Sequence, residues 1–300
     1  MQSVQSSAYF NPASNHAGGR ISRAIVDAAA MQLGALLNVD ASTLLWTSGA
    51  TESNNLAIMG AARQRAHRGR HLITMRTEHK AVVDVFRVLE KQGFDVTWLN
   101  PGPDGRLPVE DFKRAIRDDT QLASIMHVNN ETGAIQEIAA IGEICREHDI
   151  LMHVDGAQAT GKIAVDLAEL PVDLYSLTGH KFYGPKGIGA LYVAKGTAIE
   201  PLLFGGGQQR RLRPGTLPVD LIAGLGEAAA VMIEVLGDGR AFEAGHQPPE
   251  THVELDAAAI REHPQLPGAA HAGRDIAVAP AVAHQLALQV TRGRAPAIGT

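Results

Sequence analysis

Residues 176–189 read S-L-T-G-H-K-F-Y-G-P-K-G-I-G. An apolar, strand-like run at 172–177 leads into this stretch and ends in small and polar residues. His180 and Lys181 follow, then a glycine–proline loop, then a second apolar run at 190–193. A lysine set between two buried segments and against glycines is predicted to be buried itself. Burial disfavours the charged amine, lowers its pKa and frees it to act as a nucleophile. That is what a Schiff-base lysine needs. An exposed loop lysine is the ordinary alternative for an isolated His-Lys pair, and the rest of the chain decides between the two.

Working outward, apolar runs of strand length alternate with segments of helical period. Strands are predicted at 44–47, 71–75, 94–99, 122–128 and 150–154, and helices at 20–37, 54–65, 81–92, 109–117 and 138–148. In the first helix Ile21, Ala24, Ile25, Ala28 and Ala29 fall at helical spacing. Such alternation implies right-handed βαβ units and a largely parallel sheet, an α/β fold. Ligands of such sheets sit beyond the C-terminal strand ends. The polar residues at those ends are Thr51, His79, Asn130, Asp155, Gln158, His180 and Lys181. Residues 48–53, S-G-A-T-E-S, stand where a strand turns into a helix and presents free N–H groups to an anion. Thr51 and Ser53 are placed to cap that helix or to bind a phosphate oxygen. Each residue also has an ordinary role: His79 a surface or satisfied histidine, Asn130 a turn cap, Asp155 a helix N-cap. It is their convergence at successive strand ends that points to a site.

Composition bounds the function. Three hundred residues suffice for one large domain, or one plus a smaller partner. A net charge of -5 gives no case for nucleic acid. The single cysteine, Cys145, excludes a disulfide framework and a Cys-rich metal site, and suits a reducing cytoplasm. No run of about 18 apolar residues predicts a membrane span, and residues 1–10 lack the pattern of a secretory signal.

A lysine, a carboxylate, a histidine and a helix N-terminus with hydroxyls together fit pyridoxal 5′-phosphate. The lysine forms the imine, and the carboxylate keeps the ring nitrogen protonated so that the ring takes up electrons from the substrate Cα. The phosphate needs amide and hydroxyl donors, and the flat ring needs a stacking partner such as His79.

Six segments then carry a resemblance: T-S-G-A-T-E-S-N-N-L-A-I (47–58), T-E-H-K-A-V (77–82), M-H-V-N-N-E-T-G (126–133), H-V-D-G-A-Q (153–158), G-H-K-F-Y-G-P-K-G-I-G-A-L-Y-V (179–193) and G-G-G-Q-Q-R-R-L-R-P-G-T (205–216). In this order they resemble the cysteine desulfurases of the class V aminotransferase family, from about residue 11 to about residue 235. The resemblance implies a homodimer of the pyridoxal-phosphate fold type I, with a mostly parallel seven-stranded sheet between helices and a small C-terminal domain. It implies sulfur transfer from L-cysteine, with alanine as product, to an iron–sulfur scaffold or another acceptor protein. By motif, Lys181 corresponds to the Schiff-base lysine, His79 to the stacking histidine, Asp155 to the ring-nitrogen partner and Gln158 to the ring-hydroxyl contact. Ala50, Thr51, Thr178, Gly179 and His180 match phosphate-side positions. Asn130 matches the asparagine that faces cofactor and substrate, and Thr216 the threonine that reaches the phosphate of the neighbouring subunit.

The resemblance stops at about Leu236, which divides the chain into a cofactor-binding domain, 1–236, and a divergent tail, 237–300, in place of the small domain. In that tail the family carries its catalytic cysteine on a mobile loop and an arginine for the substrate carboxylate, and neither is assignable here. Lys195 is the last lysine, Phe242 is the only aromatic residue after Leu236, and prolines stand at 248, 249, 264, 267, 280 and 296. A frame-shifted translation of a GC-rich gene would give such a tail. Cys145 is predicted within a helix, where a cysteine is inert packing. The chain is therefore expected to bind pyridoxal phosphate and to release sulfur slowly. An aminotransferase or lyase of the same fold, and a non-catalytic relative, are the alternatives.

Overall fold

The computed structural model describes residues 1, 4–5 and 8–237. The expectations for the tail fall outside the described residues. The chain runs α1 (Ala17–Leu37), β1 (Leu44–Thr47), α2 (Ala50–Gln64), β2 (His71–Met75), α3 (Lys80–Lys91), β3 (Asp95–Leu99), α4 (Val109–Ala115), β4 (Thr120–Ser124), α5 (Ile138–Glu147), β5 (Leu151–Asp155), β6 (Leu174–Thr178), β7 (Gly189–Val193) and α6 (Val219–Gly237).

Seven strands form one sheet in the order β1-β7-β6-β5-β4-β2-β3. The pairs β2–β3, β2–β4, β4–β5 and β5–β6 are parallel. β7 alone runs against both its neighbours, β6 and β1. The largely parallel α/β sheet expected from the alternation is thus present. Successive side chains of a strand point to opposite faces, and this sorts the core into two layers. Leu45, Leu72, Leu122, Leu191 and Val193 join the apolar residues of α2 and α3 on one face. Trp46, Ile73, Met75, Ala123, Met152, Val154, Tyr175, Leu177 and Ala190 join those of α1, α4, α5 and α6 on the other.

Two boundaries differ informatively from the expected ones. α1 starts at Ala17, not at residue 20, because the His16 ring accepts the Gly19 N–H at 3.2 Å and caps it. β4 ends at Ser124, not at residue 128, yet the extension continues. The Ile125 N–H donates to His153 O at 3.1 Å and the His127 N–H to Asp155 O at 3.0 Å. His127 is thereby carried to the level of Asp155. Among the described residues no helix is long and apolar enough to cross a membrane.

Candidate active site

Three turns form the polar rim at the C-terminal strand ends. The first joins β1 to α2. Gly49 has φ +148° and ψ 179°, a region that a residue with a β-carbon enters only under strain. This turn starts α2 at Ala50, four residues before the periodicity alone suggested. No side chain caps the helix, so its first N–H groups face outward for an anion. Ser53 is not the cap: its hydroxyl lies 2.7 Å from Thr47 Oγ1 and donates to Ala190 O at 3.0 Å. Thr51 is exposed in the first turn. A β-carbon on Gly49 would stand 3.4 Å from Thr178 Oγ1, so the Thr178 hydroxyl lies beside this loop, 3.0 Å from His180 Nδ1.

The second turn follows β5. Asp155 is 5% exposed. Its Oδ1 accepts the Ala157 N–H at 3.0 Å, and its Oδ2 accepts the Asn54 side-chain amide at 2.8 Å. It caps no α-helix, because the residues after it form turns. Burial pushes its carboxyl above the ordinary range, while the Ala157 N–H, the Asn54 amide and the charge of His79 act against that. Gln158 accepts from the Lys162 ammonium. Gly156 has no room for a side chain: a β-carbon there would fall 2.0 Å from the ring of Tyr175, which is wholly buried. Gly156→Ala is therefore expected to cost about 3 kcal/mol and to lower the melting temperature by roughly 6–12 °C, read by calorimetry. An unchanged melting temperature would mean that the turn shifts freely.

The third turn follows β6. Gly179, His180 and Lys181 make a single 3₁₀ turn. The Gly179 N–H donates to Ile188 O at 3.0 Å, the Gly184 N–H donates to Gly179 O at 2.9 Å, and Phe182 beneath is wholly buried. Lys181 and His180 are both exposed. The expectation of a buried lysine is corrected here: Phe182 and Gly179 take the buried positions, and Lys181 projects from between them. Lys181 is near enough to Lys162 that its charge, after burial, lowers the Lys162 pKa.

The remaining residues group less tightly. His79 is exposed and caps α3, its Nδ1 accepting the Ala81 N–H at 3.1 Å, a role not expected from the sequence. Asn130 is exposed in the 129–133 turn. Its buried neighbour Asn129 ties that turn to the His79 loop by donating to Thr77 O at 3.0 Å, and its Oδ1 accepts the N–H groups of Glu131 and Thr132. Thr216 is exposed, and no hydrogen bond among the described residues joins it to residues 50–51 or 178. Arg213, three residues before it, pairs with Glu52 of α2 at 2.8 Å.

The sequence pattern of the Aminotransferase class-V family matches residues 2–247. The chain belongs to the class-V aminotransferase family. It is 55% identical over 229 residues to cysteine desulfurase IscS of Actinobacillus succinogenes, covering 75% of this chain and 57% of that protein. It is 54% identical over 229 residues to cysteine desulfurase IscS of Methylococcus capsulatus, with the same 75% and 57% covered. It superposes on a NifS-like protein with a TM-score of 0.76 at 37% identity, covering 78% of this chain and 65% of that one. With SspA in complex with cysteine the TM-score is 0.73 at 41% identity, over 79% and 70% of the two chains. The chain thus spans about 57% of the length of these curated relatives.

Proteins of the class-V family depend on pyridoxal phosphate, and the residues of this class-V chain fit that group. The uncapped start of α2 suits a phosphate. Among the described residues no ion pair reaches the buried Asp155 carboxyl, which suits a cationic ring nitrogen. Lys181 stands at the end of the adjacent strand.

Several contributors to the site were not singled out from sequence. Asn54 and Glu78 are buried polar residues inside motifs whose exposed members drew attention. The signal for Asn54 was a doubled asparagine in a helix, where asparagine is disfavoured. Glu78 accepts the Met126 N–H at 2.7 Å, and burial, then the charge of Asp155, pushes its carboxyl well above the ordinary range. Glu52 binds both Arg213 and the Ser48 N–H. Burial pushes its carboxyl up, but those partners outweigh it and hold the group below the ordinary range.

Proposed function

We propose that the chain is a pyridoxal-phosphate-dependent cysteine desulfurase. It takes sulfur from L-cysteine, leaves alanine, and passes the sulfur as a persulfide to an acceptor protein for iron–sulfur cluster assembly or thiolation, at a rate impaired by the burial of Cys145, its one thiol. The observation that carries this reading is the meeting of Lys181, Asp155 and the uncapped start of α2 at one rim of the sheet, in a chain 55% identical to a cysteine desulfurase. Its single cysteine suits a reducing cytoplasm.

When bound, pyridoxal phosphate supplies an electron sink for the substrate Cα. The α2 N–H groups at Ala50 and Thr51, with Thr178, Gly179 and His180, would hold the phosphate. Asp155 would serve the ring nitrogen, Gln158 the ring hydroxyl, and His79 and Asn130 the ring face. Lys181 would hold the cofactor through its amine, and that amine, with His79 as partner, would serve as the base for the Cα proton. Incubation with L-cysteine and a thiol reductant, which supplies the two electrons that release the persulfide sulfur as sulfide, tests the reading: alanine and sulfide in equal amounts support it, whereas pyruvate and ammonia contradict it. An aminotransferase or lyase that needs no protein thiol is favoured by one observation, the burial of Cys145. Amino transfer to an added acceptor distinguishes it.

The functional unit in this proposal is a two-fold dimer in which Thr216 reaches the partner's phosphate. Leu203 and Phe204, beside the 205–207 glycine run, are 53% and 87% exposed. Such apolar area is normally covered, and a closed two-fold interface would cover it. Sedimentation is expected to give a dimer. A monomer that holds pyridoxal phosphate at full occupancy counts against the shared site.

A further inference from the structure

Asn54 lies at the start of the second turn of α2 and is wholly buried. Asparagine is a poor helix former, and a buried position packed for stability alone is better filled by leucine. The residue also leaves a polar atom unserved, since Asn54 Oδ1 has no hydrogen-bond partner. What it does make is one contact across the fold: its Nδ2 donates to Asp155 Oδ2 at 2.8 Å, from a residue 101 positions away in sequence. An ionised carboxylate only accepts, so the nitrogen is the atom that faces it.

We propose that Asn54 is a positioning residue that fixes the Asp155 carboxylate for the ring nitrogen of pyridoxal phosphate. This rests on the reading of Asp155 as the ring-nitrogen partner. The carboxylate has two anchors on two elements, the Ala157 N–H on Oδ1 and the Asn54 amide on Oδ2. With both in place its plane cannot turn about the Cβ–Cγ bond. Without Asn54 only the turn N–H remains, and the group is free to rotate away from the ring nitrogen. Donation from Asn54 also favours the ionised form against the cost of burial. The nearby Glu78 carboxyl is held by Met126 N–H on Oε1 and has no partner on Oε2. Burial pushes the Glu78 carboxyl well above the ordinary range.

The test compares pyridoxal phosphate with its 1-deaza analogue, in which the ring nitrogen is a CH, by equilibrium titration of the cofactor-free full chain. The wild type is expected to prefer pyridoxal phosphate, and Asp155→Ala to abolish that preference. Asn54→Leu is expected to weaken pyridoxal phosphate binding about ten- to a hundredfold, the loss of one hydrogen bond to a charged group. Its affinity for the analogue should change less than about threefold, since an uncharged ring position gains nothing from an aligned carboxylate. Asn54→Ser, smaller and polar, gives the same comparison should the leucine variant fail to fold. Equal weakening of both ligands, or of neither, overturns the role of Asn54 while leaving that of Asp155 standing. A preference that survives Asp155→Ala overturns the reading of Asp155, and the inference with it.

Discussion

Lys181→Ala is expected to yield a folded protein that no longer holds pyridoxal phosphate covalently and turns over L-cysteine at least about a thousandfold more slowly. Lys181 is exposed on a 3₁₀ turn whose shape is set by other groups: the buried Phe182 and the backbone bonds of Gly179 to Ile188 and Gly184. Removing an exposed side chain of this kind costs the fold less than about 0.5 kcal/mol, so far-ultraviolet dichroism should match the wild type. In the proposed function the chemistry would lose both the amine that holds the cofactor and the base for the Cα proton. Visible absorbance and borohydride treatment read the outcome. A variant that still forms a borohydride-reducible adduct would show that another amine serves, and Lys162, which neighbours Lys181 and whose pKa burial lowers, would be the first to examine.

The second large effect is on sulfur release. A thiolate that attacks the substrate sulfur must come within bonding reach of it. Cys145, the one cysteine in the chain, is 1% exposed on α5, with its sulfur 3.8 Å from Met152 Sδ. Burial pushes its thiol well above the ordinary range, so the reactive form is scarce. Sulfide release under a reducing agent is therefore expected to be slower than that of a relative with an accessible thiol by a factor of about a hundred or more. Cys145→Ala should leave that residual rate unchanged. Fast release that disappears in the variant would make Cys145 the nucleophile after all. Fast release that persists would favour lyase chemistry without a protein thiol.

Much of this was legible in the sequence because strand ends announce themselves. Apolar runs that stop at polar clusters located Thr51, His79, Asp155 and Lys181, and alternation with helices implied the parallel sheet. What escaped depends on contacts that periodicity does not encode. The early start of α2 is a property of Gly49, whose φ of +148° permits a turn into the helix without a side-chain cap. The exposure of Lys181 follows from Phe182 taking the buried position next to it. Asn54 and Glu78 are interior residues whose partners, Asp155 and Met126, lie 101 and 48 positions away. The antiparallel course of β7 comes from the tight reversal at 179–188, closed by Gly179 bonding Ile188.

The central claim is that Lys181 attaches pyridoxal phosphate at this rim. Borohydride reduction of the cofactor-loaded protein, followed by proteolysis and mass spectrometry of the labelled peptide, tests it most directly. A single pyridoxyl group on Lys181 is the predicted result. A label on Lys162 or any other lysine, or no label on a protein that has bound the cofactor, would contradict it.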